Sequence, residues 1–145
     1  MRLDFADLGD HLGYVLRRAQ LAGFEAFHRA TAKLDITPPR YTALVIVGAN
    51  QGLTQSALGQ ALGTARSGAK TVTDWLVERG LAARRRLNGD ARAWGLFLTP
   101  AGRRQLAALR RRVRAHDAAF ARRLTRAELA QLKRLLRKVA GATSR

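Results

Sequence analysis

The sequence predicts a mainly α-helical protein that carries one small β-hairpin. Apolar residues recur at intervals of three and four along most of the chain, which is the period of an amphipathic α-helix. Between residues 81 and 99 this period is lost, and two short segments flank Asn88-Gly89, a pair typical of a hairpin turn. The length of 145 residues suits a single domain, and the lack of cysteine excludes disulfides and thiol switches.

Residues 4–34 are predicted to form one long helix with an apolar stripe on each of two roughly opposite sides. A helix with two apolar sides must be covered twice, so we expect a second subunit or a partner helix against it. The stripes are Leu8, Leu12, Leu16, Ala19, Gly23, Phe27, Ala30 and Leu34 on one side, and Tyr14, Arg17, Leu21, Phe24 and His28 on the other.

Three shorter helices follow, each predicted from a threonine that can cap its start and from a glycine or polar turn at its end. They run from about Pro39 to Ala49 after the cap Thr37, from Thr54 to Gly63, and from Thr64 to about Arg79 before Gly80.

The last of these three helices has a polar face suited to nucleic acid. Ala69, Val72 and Leu76 form its apolar stripe. Cations and small hydrogen-bonding groups in the first turns of a helix are what the reading of base edges requires. A solvated face is the alternative. Asp74 shares this face, where a carboxylate is unfavourable near DNA unless it pairs with Lys70 or accepts from a cytosine amino group. The polar face carries Arg66, Ser67, Lys70 and Thr71.

A basic hairpin comes next, with segments Leu81 to Leu87 and Arg92 to Thr99 paired around a turn at residues 88–91. Such a hairpin after a recognition helix indicates a winged helix-turn-helix, whose wing contacts phosphates or enters a minor groove. Thr54 and Gln55 lie at a helix N-terminus that suits a phosphate, or they act as a cap alone. The basic residues around the turn are Arg84, Arg85, Arg86 and Arg92.

Two basic helices end the chain, one from Pro100 to about Arg123 after the cap Thr99, and one opened by a capping box between Thr125 and Glu128. We therefore predict a single domain over residues 1–145. Within it, a winged helix-turn-helix at 36–99 lies between terminal helices at 4–34 and 100–140. We expect these terminal helices to form the dimer, because their apolar seams have no cover within the winged part. The seams are Leu106, Leu109, Val113, His116, Phe120 and Leu124, and Leu129, Leu132, Leu135, Leu136 and Val139.

The net charge of +17 is unevenly distributed. Residues 1–80 contain 9 basic and 7 acidic side chains, whereas residues 81–145 contain 18 basic and 3 acidic ones. A charge of this size indicates a polyanionic partner, most simply nucleic acid. Three aspartates stand near the N-terminus where a signal peptide is basic, and no apolar run approaches membrane-spanning length. We therefore expect a cytoplasmic protein without a membrane partner.

Together these features resemble the MarR/SlyA family of winged-helix transcriptional regulators, over about residues 12–139. The chain departs from the family pattern at Gly68-Ala69-Lys70 and at Ala93-Trp94-Gly95. The residues that carry the resemblance are Leu12-Gly13-Tyr14, Leu34 to Tyr41, Leu53-Thr54-Gln55, Leu58, Arg66-Ser67, Leu76 to Leu81, Asp90 and Arg92, and Leu98-Thr99-Pro100-Ala101-Gly102.

The resemblance implies roles for several further residues. Arg92 would enter the minor groove, and Asp90 would steady the wing or merely close the turn. A pocket for a small aromatic or anionic effector is implied at the junction of the dimer helices and the winged part. Ordinary core packing, with Arg17 in a salt bridge, is the alternative for the same residues. The candidate pocket residues are Tyr14, Arg17, Phe24, His28 and Tyr41.

These observations predict a homodimeric regulator that binds a near-palindromic double-stranded operator and is a repressor relieved by a ligand. The alternative is a weakly specific architectural DNA-binding protein. Six arginines between residues 103 and 114 leave a second DNA contact open. No catalytic residues, metal site or cofactor are expected, because the three histidines have no metal-ligand spacing and no nucleophile or glycine-rich phosphate motif is present.

Overall fold

The computed structural model describes residues 3–32, 34–87 and 90–141, and at residues 90–92 it describes the backbone alone. Within these residues the chain forms six α-helices and one three-stranded antiparallel sheet, which confirms the predicted fold class. In chain order the elements are a short 3-10 helix (Ala6–Asp10), α1 (Leu12–Thr31), α2 (Pro38–Ala49), β1 (Leu53–Thr54), α3 (Gln55–Leu62), α4 (Arg66–Glu78), β2 (Ala82–Leu87), β3 (Asp90–Leu98), α5 (Pro100–Phe120) and α6 (Arg126–Val139).

The core is built around α2, whose residues Ala43, Leu44 and Val47 have no exposed surface. Its N-cap is the predicted Thr37, which accepts a hydrogen bond from the Arg40 N–H at 3.4 Å. Apolar residues from α1, α3, α4, α5 and the sheet join the same buried cluster, so α2 is the element on which the others meet. Among them are Phe27, Leu58, Leu76, Leu96, Leu98, Leu106, Leu109 and Val113.

Helices α3 and α4 form the helix-turn-helix. The predicted cap of α3 is confirmed, since the Thr54 hydroxyl oxygen accepts from a backbone N–H in the first turn, and so is its end at Gly63, where φ is +63°. The predicted cap of α4 is wrong. Ala65, which has no side-chain acceptor, occupies the N-cap position of α4, and the Thr64 N–H donates to the Gly59 carbonyl at the end of α3.

The sheet has the strand order β1-β3-β2. The predicted β2–β3 hairpin is present, but β1 was not predicted because two residues are too short to show an alternating pattern. The predicted four-residue turn at 88–91 is also wrong, since β3 already begins at Asp90. The register of the hairpin shifts at a bulge between Arg86 and Leu87. Arg86 lies opposite Trp94, whereas Leu87 lies opposite Asp90. Asn88 and Gly89 are outside the described residues.

At the base of the wing, β1 brings two backbones into close contact. The Gly52 N–H donates to the Leu96 carbonyl at 2.8 Å. A Cβ atom at Gly95 would lie 2.6 Å from the Gly52 carbonyl oxygen, nearer than real Cβ atoms approach. Glycine is therefore the residue that fits at position 95, since a side chain there would push β1 off the sheet.

The start of α5 is hydrogen-bonded to Gly80 and Leu81, which lie just after α4. Gly80 is the glycine that was predicted to follow the end of that helix. The Thr99 hydroxyl caps α5 as predicted, because it accepts from the Gly102 N–H at 3.0 Å, and it donates to the Gly80 carbonyl at 2.6 Å. The Thr99 N–H donates to the Leu81 carbonyl at 3.0 Å. A Cβ atom at Gly102 would lie only 1.9 Å from that carbonyl oxygen, so glycine is the residue that fits here.

The predicted continuous helix over residues 4–34 is wrong. The 3-10 helix ends at Asp10, His11 is extended with φ −82° and ψ 118°, and α1 begins only at Leu12. Gly9 and Asp10 are weak helix formers, and no buried residue in this segment offsets that preference. Helix α5 is likewise shorter than predicted and ends at Phe120.

The terminal helices expose their apolar seams in the single chain. The capping box of α6, between Thr125 and Glu128, is confirmed, yet all residues of α6 except the half-buried Leu129 are exposed. In α5 the first half of the seam is buried and its end at Phe120 is 48% exposed. The exposed apolar residues of α1 and α6 include Leu12, Val15, Leu21, Phe24, Leu132, Leu135, Leu136 and Val139.

We expect Gly102→Ala to destabilise the protein by about 1–3 kcal/mol or more, because its new methyl group overlaps the Leu81 carbonyl. Helix propensity alone would favour alanine at this position by about 1 kcal/mol. Urea unfolding followed by circular dichroism measures the difference. Ala107→Gly, at an exposed position of α5, reports the propensity effect on its own. A Gly102→Ala protein as stable as the wild type would contradict the close approach.

Candidate DNA-binding surface

The predicted recognition helix, α4, presents a polar face to solvent. Ala69, Thr73 and Leu76 are buried and fix the orientation of the helix. Among the described residues, Arg66 has no hydrogen-bond or ion-pair partner. The Thr71 hydroxyl is already used, because it donates to the Ser67 carbonyl at 3.0 Å. The exposed residues of this face are Arg66, Ser67, Lys70 and Thr71, all of them predicted DNA contacts.

The two helices of the motif pack closely near the start of α4. A Cβ atom at Gly59 of α3 would lie 2.9 Å from the Ala69 Cβ, so glycine lets α4 lie directly against α3. An open groove of about 410 Å³ runs along this junction on the polar side. It is lined by Gln55, Ser56, Gly59, Gln60, Thr64, Arg66 and Ala69.

The end of α4 is held by a cluster that the sequence did not reveal. Two guanidinium groups lie over the Trp75 ring, that of Arg40 4.5 Å and that of Arg79 5.4 Å from the ring centre. Asp35 accepts from both arginines, at 3.4 Å from Arg40. Its φ of +44° is unusual for a residue with a side chain, and it places the carboxylate next to α4. The turn before α2 therefore helps to set the position of the recognition helix.

Asp74 joins the recognition helix to the wing. Its two carboxylate oxygens each lie 2.5 Å from a cation, Oδ2 from the Lys70 Nζ and Oδ1 from the Arg84 Nη2. Arg84 also lies 3.4 Å from the Gln55 Oε1 at the start of α3. Of the two ways in which Asp74 could be accommodated near DNA, the pairing with Lys70 is present. The pairing with Arg84 was missed because it joins residues on different elements.

These contacts keep Asp74 ionised. The hydrogen bonds from Lys70 and then Arg84 lower the pKa of the Asp74 carboxyl below its ordinary value. A lowered pKa in the folded chain means that the pairs stabilise the fold at pH values above the unfolded pKa. That stabilisation is lost as the pH falls through the lowered pKa. At neutral pH the carboxylate is therefore a fixed negative charge on the polar face.

The wing arginines do not form one group. Strand residues alternate between the two faces of a sheet, so Arg84 and Arg86 share one face and Arg85 lies on the other. The Arg86 guanidinium lies 5.4 Å from the ring centre of Trp94, which is half exposed, and the Arg85 guanidinium lies 5.5 Å from that of Phe97. Trp94 is thus an exposed aromatic residue on the candidate surface that the sequence analysis did not select.

The other predicted DNA contacts have mixed outcomes. Thr54 and Gln55 lie at the N-terminus of α3, and Thr54 is confirmed as its cap. Contact of either residue with a phosphate stays a prediction. The side chains of Asp90 and Arg92 lie outside the described residues, so their predicted roles in the wing are not placed by the structure.

Comparison with known proteins identifies the family of this chain. A sequence profile described as "MarR family" matches residues 34–93. Over 133 residues the chain is 37% identical to the "Putative transcriptional regulatory protein for hcr operon" of Thauera aromatica, a match that covers 91% of this chain and 80% of the relative. The chain belongs to the MarR family. The predicted resemblance is confirmed, and the protein is a winged-helix transcriptional regulator.

Solved structures of other MarR-type regulators have the same fold. The transcriptional repressor CouR bound to a 23-mer DNA duplex is 33% identical with a TM-score of 0.90, covering 97% of this chain and 99% of that one. CouR bound to p-coumaroyl-CoA is 32% identical with a TM-score of 0.87, covering 96% and 98%. The Mycobacterium tuberculosis MarR family protein Rv2887 with salicylic acid is 28% identical with a TM-score of 0.72, covering 89% and 96%.

In this MarR-family protein the candidate effector residues lie on α1 and α2. Tyr41 packs beside the buried Phe27, with ring centres 6.1 Å apart, and His28 lies 6.4 Å from the same ring. Tyr14 lies 6.3 Å from Phe5, outside this group. Phe24 and Arg17 are exposed. The five residues therefore do not form one packed cluster in the single chain, and a shared pocket stays a prediction.

Arg17 does not form the salt bridge that the core-packing interpretation requires. Its guanidinium donates to the Gln20 side chain at 3.0 Å and has no carboxylate partner among the described residues. In the same ranges, 3–32, 34–87 and 90–141, no helix is long and apolar enough to cross a membrane, and no three acidic or histidine side chains are placed to hold a metal ion.

Proposed function

We propose that this MarR-family protein is a homodimeric, sequence-specific repressor that acts in the cytoplasm and is released from its operator by a small aromatic or anionic ligand. The polar face of α4 carries this proposal. It combines an arginine that has no partner among the described residues, hydroxyl groups and a lysine on a helix whose other side is fixed in the core. Such a face suits the reading of base edges in the major groove.

The solved complex of CouR with a DNA duplex supports the same use of the fold here. The alternative function, architectural DNA binding, is favoured by the arginines of α5, because Arg103, Arg104, Arg110, Arg111, Arg112 and Arg114 are all exposed. Charge of this kind attracts any duplex and gives no sequence discrimination. The two functions therefore differ in how strongly the protein prefers one sequence over another.

We expect footprinting on the DNA that flanks its own gene to show a short protected near-palindrome, with half-sites about one helical turn apart. Arg66→Ala should weaken binding to that site by about 1–3 kcal/mol if the side chain contacts a base, with little effect on random DNA. Arg112→Ala, which removes the same charge from α5, is the matched control. Equal losses on specific and random DNA from both variants would favour the architectural function.

Dimerisation is proposed to use the exposed seams of α1, α5 and α6. Each fully buried leucine contributes about 1.5–3 kcal/mol relative to an exposed one, and four apolar residues of α6 are at least 40% exposed in the single chain. A second copy that covers these seams would remove the largest apolar areas from water. A two-fold axis would then present two copies of α4 to one duplex.

We expect Leu132→Glu or Leu136→Glu to yield monomers or insoluble protein, because a charge in the seam would be buried without a partner. Light scattering coupled to size-exclusion chromatography measures the mass. Arg134→Glu, on the opposite side of the same helix, should leave the dimer intact. A dimer that persists in both leucine variants would show that α6 is not part of the interface.

The ligand is proposed to lie between α1 and the winged part, near Arg17 and Tyr41. Arg17 has no carboxylate partner among the described residues, so an anionic group can pair with it. Tyr14, Phe24 and Tyr41 supply aromatic surface for a ring. CouR with p-coumaroyl-CoA and Rv2887 with salicylic acid show that relatives bind aromatic acids or their thioesters. To release DNA, the ligand must bind one spacing of the two recognition helices better than another.

We expect salicylate-like compounds to lower operator affinity, and Arg17→Ala to blunt this effect while DNA binding without ligand stays intact. Titration of such compounds into a protein–operator complex, followed by fluorescence anisotropy, measures both. Arg18→Ala removes the same charge one residue further along α1 and should respond as the wild type does. If no compound alters binding and Arg17→Ala unfolds the protein, these residues belong to the core and the ligand switch is wrong.

A further inference from the structure

The carboxylate of Asp74 neutralises two cations on the surface that would face DNA. Lys70 lies one turn before Asp74 on α4, and Arg84 reaches it from β2, so the carboxylate joins two separate elements. The Asp74 side chain is 25% exposed, whereas Lys70 and Arg84 are 68% and 38% exposed. All three groups are therefore reachable by a duplex that lies against this surface.

The charge balance of this cluster bears on non-specific binding. Binding to DNA of any sequence comes mostly from phosphates that displace counterions with lysine and arginine. A phosphate that approaches Lys70 or Arg84 must compete with the Asp74 carboxylate, and it also comes close to a like charge. Every duplex meets this cost, because every duplex offers phosphates.

A matching sequence can offer something more to the same carboxylate. The cytosine amino group is a hydrogen-bond donor in the major groove, and a carboxylate is the usual acceptor for it. Each carboxylate oxygen has a second lone pair that can accept a hydrogen bond while its ion pair stays intact. A suitably placed cytosine can therefore donate a hydrogen bond to Asp74 while the contacts of Asp74 with Lys70 and Arg84 remain.

We propose that Asp74 is a specificity-determining residue, which weakens binding to all DNA through its pairs with Lys70 and Arg84 and is compensated only where a base donates to it. This inference rests on the proposed function, since it takes α4 to lie in the major groove. In this role Asp74 increases the ratio between the affinity for the operator and the affinity for random DNA.

The test compares wild type and Asp74→Asn on two duplexes of equal length, one enriched by the wild-type protein from a random-sequence pool and one with the scrambled sequence. Fluorescence anisotropy at several KCl concentrations gives the affinity and its salt dependence. Asparagine keeps the shape and removes the charge. Asp74→Asn should bind the scrambled duplex about three- to tenfold more tightly, with a salt slope steeper by roughly one to two phosphate contacts. Affinity for the enriched duplex should rise less or fall.

Glu78→Gln is the matched control, because Glu78 is exposed on the same helix one turn later and has no ion pair with a described residue. The same change in Glu78→Gln as in Asp74→Asn would mean a general charge effect and would overturn the proposal. An equal gain on both duplexes, or no gain on the scrambled one, would overturn it as well. Thermal unfolding of each variant shows that the compared proteins are folded.

A second comparison tests whether Asp74 weakens DNA binding through its ion pairs with Lys70 and Arg84. On the scrambled duplex, the gain in affinity from Asp74→Asn should be smaller in a Lys70→Met/Arg84→Met background than in the wild type, and an equal gain there would contradict the assigned contacts. Failure of the proposed function looks different. If the wild type enriches no duplex, sequence-specific regulation is wrong, whereas the scrambled duplex still decides whether Asp74 restrains binding to phosphates.

Discussion

The buried inner side of α2 is the constraint on which the rest of the structure depends. Leu44 and Val47 are fully enclosed, and the helices of the motif, the sheet and the first half of α5 all bury side chains in the same cluster. Tyr41, on the same helix, reaches Phe27 of α1. A change in how α1 packs would thus be transmitted to α2 directly, and from α2 to the elements that carry the polar surface.

Several of the cations on the surface also have partners within the chain. Lys70 and Arg84 share one carboxylate, Arg79 is paired with Asp35, and Arg103 donates to the Leu98 carbonyl at 2.9 Å. Arginines on the wing lie over aromatic rings, which orders their guanidinium groups in advance. Several cations that composition alone would assign to DNA therefore also hold α4, β2 and the start of α5 in place.

Local chemistry explains which parts of the fold could be predicted. Thr54, Thr99 and Thr125 each cap a helix through a bond to the residue three positions later, so the sequence shows both partners at once. The contact of Asp74 with Arg84, and the approach of Gly102 to Leu81, join segments that meet only after folding. The short strand β1 was not predicted for the same reason, because its pairing with β3 and not its own sequence makes it a strand.

A dimer interface through α6, as proposed above, would link the concentration of the protein to the stability of its fold. A chain whose apolar helices are covered only by a second copy gains part of its stability from association, so dilution lowers the stability of the fold as well as the number of dimers. Unpaired chains expose apolar surface and are the ones that proteases and aggregation remove. A fall in synthesis would then clear the repressor faster than simple dilution does, and its genes would be released more abruptly than operator affinity alone dictates.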